Sequence, residues 1–126
     1  MTDPTRRPAI AFGIDVALVV LFAAIGRASH AESNAVTGAV VTASPFLAGT
    51  VIGWSVVRLL HKRWPVAVGP GITVWFSTLV VGMLLRAATG QGTALAFVGV
   101  AALTLAAFLV GWRSVATVAS RPRPRL

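Results

Sequence analysis

The chain has 126 residues, 56% of them hydrophobic and only 11% charged, with a mean hydropathy of +0.84. A water-soluble domain carries about a quarter of its residues as charge, so too little polar surface is present to coat a globule, and the chain reads as a membrane protein with room for one small domain. The net charge of +8 comes from 11 lysines and arginines against 3 acids, and the absence of cysteine excludes disulfides, thiol chemistry and thiolate metal sites.

Residues 1–8, M-T-D-P-T-R-R-P, read as a polar tail carrying Arg6 and Arg7. Residues 9–26 are then apolar apart from Asp15, a length of about 27 Å at 1.5 Å per residue, close to the hydrocarbon thickness of a bilayer. A cleaved signal peptide is the competing reading of this start. Asp15 inside the apolar region, the want of a small-x-small cleavage site and three later apolar runs all weigh against it.

A polar connection, R-A-S-H-A-E-S-N over residues 27–34, leads to a second apolar region interrupted by Pro45. Either one long helix continues through Pro45 with a kink, or a short surface helix ends near Ala43 and a new one starts with Ser44 as N-cap and Pro45 at its first position. The sequence favours a break there, with the second span over residues 44–60. The cationic segment Arg58 to Gly71, R-L-L-H-K-R-W-P-V-A-V-G-P-G, follows. The third span covers residues 72–88, and T-G-Q-G-T (89–93) permits a tight turn between antiparallel helices. The fourth span covers residues 94–119, and the basic, proline-rich 120–126 closes the sequence. The expected organisation is thus one four-helix transmembrane domain over 9–119, an all-α antiparallel bundle, between two basic tails.

Orientation follows from the charges. With four spans, one face receives Arg6, Arg7, Arg58, Lys62, Arg63, Arg113, Arg121, Arg123 and Arg125, and the other only Arg27 and Arg86. Positive loops stay in the cytoplasm, so both termini are expected there. Trp54, Trp64, Trp75 and Trp112 fall toward the same face, as an interfacial belt would. This distribution also favours anionic lipid headgroups over nucleic acid as the partner of the basic residues, since no folded basic patch with stacking aromatics is present.

Asp15 is the sharpest candidate for chemistry. A carboxylate at mid-helix costs about 2.5–3.5 kcal/mol to insert, so it must face the bundle interior and pair with a cation or take up a proton. Arg113, at a similar depth on the fourth span, and Arg58, near the inner end of the second, are the reachable partners. Such a carboxylate either fastens the helices as an ion pair or binds protons or cations in transport. Arg27, Ser29, His30, Glu32, Arg86 and Gln91 form a second polar group at the opposite face, where the arginines either converge on an anion or snorkel to lipid phosphates. Gly49 and Gly53 make a small-residue stripe on the second helix, suited to close packing within the bundle or in a homo-oligomer. No nucleophile–base arrangement, phosphate loop or metal-ligand spacing is present, and no cofactor is expected.

Together, Asp15 in the first span, G-R-A-S-H (26–30), S-P-F-L-A-G (44–49), V-W-F-S-T-L-V-V-G-M-L-L-R (74–86), G-Q-G-T (90–93) and G-W-R (111–113) resemble the small bacterial and archaeal membrane proteins catalogued as domain of unknown function 3054. The resemblance implies a four-span integral membrane protein and supplies no mechanism. The small multidrug transporters share only the first-helix acid, and the fluoride channels only an echo at residues 75–78. Two roles stay open: a small transporter or channel-like subunit using Asp15, which would need to oligomerise, or a non-catalytic accessory subunit packing against a partner protein. A bacterial plasma membrane is the expected location, in keeping with the preference for arginine over lysine.

Overall fold

The computed structural model describes residues 6–28, 35–90 and 94–120. Its helices are α1 (Arg6–Ala28), α2 (Ala35–His61), α3 (Val68–Ala88), α4 (Leu95–Leu105) and α5 (Gly111–Ser120), with α4 and α5 joined by a π turn at Ala106–Val110. α4, the π turn and α5 form one continuous fourth span. Four stretches are long and apolar enough to cross a membrane: Arg7–Gly26, Gly38–His61, Val68–Ala88 and Leu95–Ser120. The described residues contain no strand, and the chain is an all-helical, multi-pass membrane protein.

α2 runs through Pro45 without interruption, in place of the separate helix starting at Ser44 that its proline favours in the sequence. Proline lacks the N–H that would bond the carbonyl four residues back, here that of Val41. The Ser44 hydroxyl donates to the Val41 oxygen instead, at 2.7 Å. With that carbonyl satisfied, an apolar environment holds the helix together across the proline.

α2 and α3 make the closest helix pair, and small residues set their spacing. A Cβ on Gly49 would lie 2.7 Å from the backbone oxygen of Ser77 and 2.8 Å from the Cα of Thr78. The Ser77 hydroxyl donates to the Gly49 carbonyl at 2.7 Å, and a Cβ on Gly53 would lie 3.0 Å from the Ser77 Cβ and the Val74 Cα. The glycine stripe is therefore used inside the bundle. Buried beside it, Thr50 and Thr78 bring their hydroxyls to 2.8 Å. Each also lies within reach of its own helix's carbonyl, Phe46 at 3.0 Å and Val74 at 2.7 Å. Two hydroxyl protons serve these three contacts, so one threonine donates across the interface while the other donates back.

At one end Phe22, Phe46 and Phe97 close the interior, the first pair edge-to-face with centroids 5.3 Å apart. Of the helix pairs in contact, α1 and the fourth span meet least, and along α5 their backbones stand apart. Side chains from both helices, rather than backbone contact, bridge that gap.

Candidate functional site

The bridge is built on Asp15. Its carboxylate and the Arg113 guanidinium are fully buried, joined by Nη1 to Oδ1 at 2.8 Å and Nη2 to Oδ2 at 2.7 Å. Trp112 donates its indole N–H to Oδ1 and Trp54 donates its own to Oδ2, both at 2.8 Å. Each carboxylate oxygen thus accepts two bonds, which fills its lone-pair sites.

Arg113 is equally saturated. Nε donates to the Pro65 carbonyl at 3.1 Å, Nη2 to the same oxygen at 2.7 Å, and Nη1 to the Leu109 carbonyl at 2.9 Å. With the two bonds to Asp15, all five guanidinium hydrogens have acceptors. The cluster ties α1 (Asp15), α2 (Trp54), the α2–α3 connection (Pro65) and α5 (Trp112, Arg113) at one level. A buried ion pair is tolerable only when its remaining donors and acceptors are satisfied, and here they are.

Local structure positions each member. Asp15, with Ala11, Val19 and Ala23, lies on the buried face of α1. Trp54 is held by an edge-to-face contact with Phe12, centroids 5.2 Å apart. On the fourth span Ala101, Leu105, Leu109 and Arg113 are all buried, a spacing of four. At 3.6 residues per turn each such step drifts by about 40°, so three steps would swing Arg113 about 120° from Ala101. The wider π turn between Leu105 and Gly111 absorbs part of that drift. Gly71 gives Arg113 room: a Cβ there would collide with the arginine Cδ and lie 2.8 Å from Nε.

The other sequence candidates separate. Arg58 does not join Asp15; it is exposed and lies over the Trp64 ring, 5.1 Å from its centroid. Arg86 lies over Phe97 at 4.5 Å. Arg27 belongs to α1, but its side chain, like Ser29, His30, Glu32 and Gln91, lies outside the described residues. Trp54 and Trp112 were not legible as partners of Asp15 when read as an interfacial belt. Trp75 also turns inward, donating to the Ala102 carbonyl at 2.9 Å.

Beside the cluster lies an open groove of about 710 Å³ between α1 and α5, lined among others by Arg7, Ile10, Trp64, Trp112, Arg113 and Thr117. Among the described residues no three His, Cys, Asp or Glu side chains gather. No curated protein and no solved structure matches the chain. The sequence of one family, described as a protein of unknown function (DUF3054), matches residues 12–116. The chain belongs to that family.

Proposed function

We propose that this protein is a sealed four-helix scaffold in a bacterial plasma membrane, acting as a non-catalytic accessory subunit that packs against a partner protein. The observation that carries this reading is the saturation of Asp15. Its carboxylate accepts four hydrogen bonds from Arg113, Trp112 and Trp54, leaving no lone pair for a passing ion. The Phe22–Phe46–Phe97 group plugs the other end of the interior. Both termini face the cytoplasm, a placement supported by the arginine and lysine distribution. Exposed apolar side chains along the fourth span, such as Leu95, Val100 and Leu103, offer contact area to lipid or to a partner.

A second reading, transport through Asp15, draws on the groove that borders Trp112 and Arg113. In that case Trp112 swings aside and water reaches the carboxylate. The natural absence of cysteine makes the two separable. Single cysteines at Val19 and Ala23, on the Asp15 face and buried away from the groove, are treated with a membrane-impermeant maleimide from each side of the membrane. The scaffold reading predicts no labelling from either side. Labelling at both positions would favour the conduit.

A further inference from the structure

We infer that the groove between α1 and α5 is a binding site for the headgroup and glycerol region of an anionic phospholipid; this rests on the membrane placement proposed above. At about 710 Å³ the groove falls in the size range of ligand sites. Its shape has a cause. α1 and α5 do not pack on each other, and the Arg113 and Trp112 side chains, both reaching across to Asp15, span the gap. Arg113 and Trp112 therefore form the inner wall that stops the groove from continuing into the bundle.

The polarity of the groove runs in the order a lipid requires. Exposed Arg7, in the first turn of α1, stands at its mouth. Ile10, Ala11, Val66 and Ala67 supply apolar wall further in, and Trp64 adds a ring of the kind that favours the membrane interface. From Ser120 to Arg113 the α5 wall runs for about 10 Å, the reach of a headgroup and its ester linkages rather than of a whole acyl chain. The chains then leave sideways between α1 and α5.

Charge selects the anionic class. Asp15 is the only acid among the described residues, and Arg113 already neutralises it. Arg7 therefore meets a groove with no competing described carboxylate, and a lipid phosphate carrying net negative charge is its complement.

The test uses the full chain in phosphatidylcholine vesicles containing an equal minor fraction of either brominated phosphatidylglycerol or brominated phosphatidylcholine. Bromine quenches nearby indoles, and Trp64 and Trp112 both line the groove. The wild type is expected to prefer the brominated phosphatidylglycerol by about five-fold, the effect of one basic residue at a membrane surface. Arg7→Gln brings the two lipids to parity, whereas Arg63→Gln, whose side chain lines a different cleft, keeps most of the preference. Ala116→Leu, which fills the groove from α5, also abolishes it. Parity in the wild type overturns the proposal, as does a preference that survives Arg7→Gln or falls equally with Arg63→Gln. Release of quenching by inorganic phosphate alone would reassign the groove to a free anion. Quenching that vanishes as protein is raised against lipid would assign it to a second copy of the chain. Absence of quenching by either lipid would instead refute the membrane placement itself.

Discussion

Replacing Asp15 with asparagine keeps the shape of the side chain, removes its charge and turns one acceptor oxygen into an NH2 donor. With the amide nitrogen in the Oδ2 position, Arg113 Nη2 and Trp54 Nε1 lose their acceptor; with it at Oδ1, Arg113 Nη1 and Trp112 Nε1 do. Either way one guanidinium donor and one indole donor are stranded in a buried site. At about 1–3 kcal/mol for each stranded group the loss is about 2–6 kcal/mol, which brackets the 3–5 kcal/mol typical of removing one partner of a buried ion pair. Asp15→Asn is therefore predicted to destabilise the bundle by about 3–5 kcal/mol. The assay is reversible unfolding in mixed micelles as sodium dodecyl sulfate displaces a mild detergent, followed by far-ultraviolet circular dichroism. Arg113→Gln completes a double-mutant cycle. Because the double variant carries no buried charge, its loss should fall short of the sum of the single losses by about 2 kcal/mol or more. Additive losses, or an Asp15→Asn variant within about 0.5 kcal/mol of wild type, would refute the reasoning.

Three further substitutions test the packing around the cluster. Gly71→Ala places a methyl group against an Arg113 side chain that five hydrogen bonds hold in place. It should cost about 1–3 kcal/mol, as overpacking does, in the same unfolding titration. Thr50→Val removes one side of the buried Thr50–Thr78 contact and should cost about 0.6 kcal/mol, rising to at most about 1.7 kcal/mol, as interhelical hydrogen bonds in membranes do. Arg58→Gln touches only an exposed stacking contact with Trp64 and should shift stability by less than about 0.5 kcal/mol; a loss comparable to that of Asp15→Asn would restore Arg58 as the carboxylate's partner.

Hydropathy makes the four spans legible, because a bilayer demands long apolar helices. Matched depth makes the Asp15–Arg113 pair legible in the same way. Depth does not give azimuth, however. On α2, Trp54 and Val57 are buried, and Arg58, about 100° round from Val57 and about 40° beyond Trp54, falls past the edge of the buried face and is exposed. Trp54 and Trp112 lie about 10–12 Å from the ends of α2 and α5 by helical rise, much as deep as Asp15. That depth, rather than the general liking of tryptophan for interfaces, was the usable signal. Pro45 is a break by backbone chemistry alone; what overrides it is one hydroxyl, that of Ser44, in hydrogen-bonding reach of the Val41 carbonyl. The π turn over Ala106–Val110 leaves no mark in A-A-F-L-V, which holds neither glycine nor proline. It answers a packing demand of the tertiary structure, the need to keep Leu109 and Arg113 facing inward.

The sealed carboxylate is tested most directly by nuclear magnetic resonance of the tryptophan indole N–H groups in lipid nanodiscs. Of the chain's 4 tryptophans, Trp54 and Trp112 donate to Asp15. The indole protons of Trp54 and Trp112 should therefore resonate downfield and resist exchange with deuterated water, as should that of Trp75 on the Ala102 carbonyl; in Asp15→Asn one of the first two should lose both features while Trp75 keeps them. Four indole resonances that exchange at similar rates and do not respond to that substitution would contradict a closed cluster at Asp15.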